Sequence, residues 1–128
     1  MEASFSRRKL VTPAELKSLN VRSNLRGAGQ MASHVGAILI AGYLHSLALG
    51  TGWVWVTGFV LGVLINFLYA AQHELSHATV FANRKTNEVF GRLIGFVMIF
   101  PRDYDQVMHF AHHTYTQNWE KDGELGRE

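Results

Sequence analysis

Between Arg26 and Glu74 the chain runs for 47 consecutive residues without an Asp, Glu, Lys or Arg. A soluble domain of 128 residues has to distribute charge over every surface element, so a gap of this length argues against a water-soluble globule. Disorder is excluded as well, because the stretch is rich in aromatic and branched apolar residues. The chain contains no cysteine, which removes disulfide scaffolds, Cys-ligated zinc sites and thiolate-ligated iron–sulfur clusters.

The formal net charge of +2 is concentrated before the gap, where Arg7, Arg8, Lys9, Lys17, Arg22 and Arg26 face only Glu2 and Glu15. A basic segment directly before an apolar one is the positive-inside flank of a membrane span. No stacking aromatics or reader fold accompany it, so nucleic acid is not an expected partner. The apolar region begins too late for a signal peptide. Residues 1–30 are therefore read as a basic cytoplasmic segment. Thr12-Pro13-Ala14-Glu15 within it is a capping box that opens a short helix carrying Leu16 and Leu19.

Residues 31–49 and 53–72 form two apolar stretches. About 20 helical residues at ~1.5 Å each cross a hydrocarbon core of ~30 Å, so each stretch is long enough to span. Gly50-Thr51-Gly52 allows only an antiparallel connection. The expected architecture is thus all-α and integral to the membrane, with a transmembrane hairpin whose two ends face the cytoplasm. Trp53 and Trp55 are expected at the opposite interface. Val89 to Phe100 is too short to cross and contains Arg92, so it reads as an interfacial or re-entrant helix. Pro101 ends it, and a last helix capped near Asp105 carries the histidines at 109–113.

Five of the seven histidines fall into two clusters, His73-Glu74-Leu75-Ser76-His77 and His109-Phe110-Ala111-His112-His113. At 100° per helical residue, His73 and His77 project about 40° apart, as do His109 and His113. His112 and His113 diverge by about 100°, so these neighbours can serve different ions. Five imidazoles exceed the three ligands of a catalytic zinc and fall short of two complete sites. An all-nitrogen centre at a membrane surface suggests iron and dioxygen. His34 and His45 share a face of the first span but join no cluster, and read as helix-packing or interfacial residues.

His73-Glu74-Leu75-Ser76-His77 also satisfies the H-E-x-x-H pattern of zinc metalloproteases, in which the glutamate is the general base. An intramembrane protease is therefore an alternative. Against it stand the absence of a G-x-x-H continuation after His77 and the triple-histidine cluster downstream.

The two clusters, in the contexts HELSHATVF and HFAHHTYTQ, resemble the first and second histidine boxes of the membrane fatty acid desaturase superfamily, H-x-x-x-H and H-x-x-H-H. The similarity runs from about Glu15 to Leu125. It implies that residues 31–128 are a desaturase-like domain. It further implies that His73, His77, His109, His112 and His113 ligate two non-haem iron ions at the cytoplasmic membrane face. The centre would use O₂ to remove hydrogens from a lipid acyl chain, with electrons from an external donor of cytochrome b5 or ferredoxin type. The membrane would be the endoplasmic reticulum in a eukaryote and the plasma membrane in a bacterium.

Neighbouring residues suggest supporting roles. Glu74, Glu120 and Asp122 are candidates to accept an imidazole N–H and fix a tautomer. Asn66 lies on the helix stripe Asn66, Ala70, His73, His77, where it either borders a substrate channel or bonds to the first span; the second is the expectation. The family also has a third histidine box, which is absent before Glu128. The chain is accordingly expected to be the N-terminal part of such an enzyme, inactive alone. Hydroxylases and carotenoid ketolases share the boxes and remain open as alternatives, as does a non-enzymatic membrane adaptor.

Overall fold

The computed structural model describes residues 11–123 and residue 125; the basic residues Arg7, Arg8 and Lys9 lie outside them. The described residues are helical, without a strand. Helix α1, Pro13–Leu19, opens on the capping box: Glu15 N donates to Thr12 Oγ1 at 3.2 Å, and Thr12 N donates to Glu15 Oε2 at 2.8 Å. No residue of α1 is buried, so Leu16 and Leu19 present their side chains outward.

Helix α2, Asn24–Leu47, is capped by Ser23, whose Oγ accepts from Arg26 N. It starts seven residues before the apolar stretch at 31–49, because the Ser23 cap rather than the onset of apolarity sets the boundary. A turn with Gly50 at φ 79° leads to α3, Val54–Asn66. After one irregular residue, Phe67, the same direction is kept by α4, Leu68–Ser76. The run Val54–Ser76 is long and apolar enough to cross a membrane, and it is the one such helix among the described residues. Of the two stretches expected to span, the second alone lies in a described helix of the required length and apolarity; Gln30, Ser33, His34, His45 and Ser46 dilute the apolarity of α2.

Helices α2 and α3 nonetheless pack along their lengths in antiparallel fashion. His34 donates from Nε2 to the Leu64 carbonyl at 3.0 Å, and His45 Nδ1 lies 3.0 Å from Thr57 Oγ1. Both isolated histidines thus join helix to helix. The outer faces expose Leu39, Ile40, Tyr43, Phe59 and the two tryptophans of the turn end, Trp53 and Trp55. A contiguous apolar exterior of this kind is not covered by the described chain itself.

The packed part of the molecule lies at the other end of the helix pair. Met31, Leu68, Leu75, Phe81 and Ile94 form its core. The loop after α4 is clasped by Asn87, fully buried, which accepts from Phe81 N at 3.0 Å and donates to the carbonyls of Phe81 and Asn83. Gly27 permits α2 to touch this loop, since a Cβ there would stand 2.5 Å from the Val80 carbonyl.

Helix α5, Arg84–Val97, begins five residues before the apolar run at Val89, capped by Asn83 through Lys85 N and Thr86 N. It is amphipathic, burying Asn87, Gly91, Ile94 and Gly95 and exposing Leu93, Phe96 and Val97. Gly95 is the point of closest approach, because a Cβ would lie 2.7 Å from the Phe100 carbonyl and 2.9 Å from Arg102 N. Helix α6, Arg102–Tyr115, follows Pro101 and has no side-chain cap. Asp105 is not its cap: it sits inside the first turn, 2% exposed, turned toward α4.

Candidate metal centre

The C-terminal turn of α4 carries His73 and His77, and the second half of α6 carries His109, His112 and His113. Packing of α4 on α6 brings the two boxes together. The ring centroids of His73 and His109 are 4.3 Å apart, those of His77 and His109 4.8 Å, and those of His109 and His113 4.4 Å. One ligand nitrogen from each of His73, His77 and His109 lies within 4.8 Å of the others. His109 is buried at 6% exposure.

The nitrogen atoms point inward at one another. His77 Nε2 and His113 Nε2 each stand 2.8 Å from His109 Nε2. An imidazole nitrogen carries either one proton or one lone pair, so His109 Nε2 cannot satisfy both neighbours by hydrogen bonding. A shared cation would satisfy them all, and an all-imidazole donor set suits iron, copper, nickel or zinc. His77 is held below the usual histidine range, first by desolvation and then by the positive potential of His109, His73 and His113, with Glu74 opposing. Its neutral form, the one that ligates metals, is thereby favoured.

His112 points elsewhere, as the divergence of adjacent helical positions requires. Its Nδ1 donates to Asp122, with both carboxylate oxygens at 2.9 Å. Asp122 is 2% exposed and also accepts from Gln117 N at 3.3 Å. Gln117 adopts φ 68°, and this left-handed residue reverses the chain so that Asp122 returns to His112. With Nδ1 tied to a carboxylate, Nε2 is the nitrogen by which His112 would reach a metal.

The other three supporting candidates behave differently. Glu74 is exposed and accepts from Thr79 Oγ1 at 2.6 Å rather than from an imidazole. Glu120 is exposed, and its backbone N–H donates to Asn118 Oδ1. Asn66 makes no hydrogen bond to α2 among the described residues; it is exposed and borders a cavity of about 420 Å³ with Phe67, Tyr69, Ala70, Met98 and Phe100. Met98 and Phe100, which border the same cavity, belong to the segment that joins α5 to α6.

Sequence reasoning missed the polar joint that sets α4 against α6. Gln72, fully buried beside His73, donates from Nε2 to Asp105 Oδ2 at 3.3 Å. Tyr69 donates to the other oxygen of Asp105 at 3.5 Å. Gln106 donates to the Ser76 carbonyl at 2.8 Å, one residue before His77. Asp105 lies one helical turn before His109, so this joint fixes the register between the boxes. A glutamine inside an otherwise apolar run was the available signal.

Comparison with known proteins points to the family that the sequence resembles. A family model described as Fatty acid desaturase matches residues 50–128. Fatty acid desaturase 3 of Bos taurus is 28% identical over 104 residues, which cover 76% of this chain and 23% of that protein. The chain thus spans under a quarter of the length of the curated relative it matches. No solved structure matches.

Proposed function

Because this chain belongs to the fatty acid desaturase family, we propose that its histidines form part of a di-iron centre for O₂-dependent desaturation of a lipid acyl chain. The observation that carries the reading is the convergence of His77, His109 and His113 on nitrogen separations of 2.8 Å that hydrogen bonding alone cannot satisfy. Two non-haem iron ions, when bound, would supply the activation of O₂ that hydrogen removal from an unactivated acyl chain demands.

The protein's own residues hold and orient. His73, His77, His109 and His113 would offer ring nitrogens on one side, while His112, anchored by Asp122, would offer Nε2 on another. Five imidazoles fall short of two complete sites, so two ions would need ligands beyond these five. The joint of Gln72, Tyr69 and Asp105 keeps the boxes in register. The cavity at Asn66, Ala70 and Phe100 opens one to two turns before His73 along the run Val54–Ser76 and would give an acyl chain an approach to it.

The same reading orients the molecule. The α2–α3 pair would cross the bilayer as a hairpin, with its apolar exterior toward lipid and Trp53 and Trp55 at the far interface. Arg22, Arg26, Arg84 and Lys85 would then lie with the histidines on the cytoplasmic side. The electrons would come from a donor of cytochrome b5 or ferredoxin type.

Hydroxylation within the same superfamily would use the same ligands, and the placement of the acyl chain against them would decide the outcome. The protease alternative is disfavoured by Glu74, whose carboxylate is engaged by Thr79 rather than poised at the histidines. The decisive test supplies the whole protein, reconstituted with iron and a reductant, with phospholipid, and measures O₂ uptake together with new double bonds by mass spectrometry. Coupled uptake and unsaturation support the reading; a hydroxylated product moves it to the hydroxylases, and no uptake with any lipid defeats it.

A further inference from the structure

The run Val54–Ser76 is interrupted at Phe67, where the sequence Leu64-Ile65-Asn66-Phe67-Leu68 carries neither proline nor glycine. Phe67 falls between α3, which ends at Asn66, and α4, which begins at Leu68. Phe67 N donates to the Val63 carbonyl at 3.0 Å, whereas Ala71 N reaches the Phe67 carbonyl only at 3.4 Å. A bond from Leu68 N to the Leu64 carbonyl would carry the ladder through Phe67, and none is made among the described residues. A side chain inserted into the i→i−4 ladder is one of the few causes of such a break.

The side chain at this break is His34, from α2. Its Nε2 stands 3.0 Å from the Leu64 carbonyl, the acceptor that the interrupted ladder leaves over. A carbonyl only accepts, so Nε2 carries the proton and the tautomer is fixed. In an apolar surrounding neither group has water to turn to, and each supplies what the other lacks.

The break lies close to the histidine boxes. Phe67 precedes His73 by six residues, about 9 Å along a helix. Asn66, Phe67, Tyr69 and Ala70, at the break and in the turn after it, line the cavity that Met98 and Phe100 also border. Beyond the break, α4 is fixed against α6 by the bond between Gln72 and Asp105. A change at Phe67 therefore reshapes the cavity wall before it reaches the histidines.

We propose that His34 is a positioning residue: its bond to Leu64 holds the run open at Phe67, and the open form shapes the cavity wall against which an acyl chain is seated. The use of that wall rests on the desaturase reading; the break held by His34 does not.

The test compares the parent with His34→Leu, which removes the donor, and His34→Gln, which keeps an N–H of similar reach. Each is the whole protein in neutral detergent, first without iron. Residue-resolved amide hydrogen exchange reports on Leu68 N–H, which lacks its ladder acceptor only while the run is open. His34→Leu is expected to slow that exchange by at least ~10-fold as the ladder closes, and His34→Gln to keep the parent rate. Loss of a histidine that served packing alone would loosen the helices and speed exchange, so the sign separates the two roles. Unchanged or faster exchange at Leu68 in a folded His34→Leu protein overturns the proposal.

Should His34→Leu fail to fold, the parent decides by the NMR shifts of its ring nitrogens. A protonated Nε2 together with a fast-exchanging Leu68 N–H supports the proposal; a bare Nε2 or a protected Leu68 overturns it. The iron-loaded protein is read separately. His34→Leu is expected to keep its iron and to raise the KM for lipid ~10-fold, with His34→Gln near the parent value. An unchanged KM overturns the link to the acyl chain and leaves the break standing. A parent that consumes no O₂ defeats the desaturase reading, and the exchange result stands without it.

Discussion

Gln72 donates its side-chain amide to Asp105 across the α4–α6 contact, at 3.3 Å and out of reach of solvent. Gln72 precedes His73 and Asp105 lies one turn before His109, so one buried hydrogen bond links the two helices just where their histidines must meet. Removing it leaves a buried donor without an acceptor, a cost of about 1–3 kcal/mol. Asp105→Ala is therefore expected to loosen the boxes relative to each other. The measurement is metal retained per chain after dialysis, with a ~10-fold or greater loss of affinity expected; Asp105→Asn, which keeps an acceptor oxygen, should restore part of it.

Asp122 and Glu120 make a second comparison. Asp122 is buried and fixes His112 through Nδ1, whereas Glu120 is exposed and its carboxylate has no described contact with an imidazole. Substitution of a carboxylate behind a metal-binding histidine costs ~10- to 100-fold in metal affinity or activity. Asp122→Asn should show that loss in a metal-competition titration, and Glu120→Gln should match the parent protein.

The histidine pattern was legible because its spacing is local. Positions i and i+4 share a helix face whatever the rest of the fold does, so His73 with His77 and His109 with His113 could be paired before any coordinates. The carboxylates were not legible, since their partners depend on loops. Asp122 reaches His112 only because Gln117 turns the chain at positive φ, and Glu74 is captured by Thr79 five residues on. Helix starts followed the same rule: α5 begins at the Asn83 cap, while the onset of apolar residues placed it later. Asp105 looked like a cap because it is acidic and near a helix start, and its burial against Gln72 is a tertiary fact.

Gly95 and Gly29 should respond oppositely to alanine. A Cβ at Gly95 meets the Phe100 carbonyl and Arg102 N within 3 Å, both backbone atoms that cannot swing aside. Gly95→Ala is expected to destabilise by about 1–3 kcal/mol, the range for overpacking. Gly29 has open space around its Cβ position, so Gly29→Ala should gain up to about 1 kcal/mol of helix propensity. Thermal unfolding in one detergent, followed by circular dichroism, compares the two.

The depressed pKa of His77 sets the direction of a pH dependence in the metal-free protein. Burial and the neighbouring imidazoles lower it from 6.5 in the folded state, so the unfolded chain binds the proton first as pH falls. The contribution is complete above about pH 6.5 and is lost as pH falls from there through the folded value. Stability should rise between mildly acidic and neutral pH, and His77→Gln should flatten that rise. An unchanged slope in the variant would assign the dependence to other groups.

The central claim is that the box histidines converge to hold iron, and elemental analysis of the purified protein tests it most directly. The protein should be expressed with iron and zinc both supplied, alongside His109→Ala and His34→Ala. The account predicts bound iron in the parent and in His34→Ala, whose imidazole serves helix packing, and its loss in His109→Ala. Iron absent from the parent, zinc in its place, or equal retention in His109→Ala would contradict it.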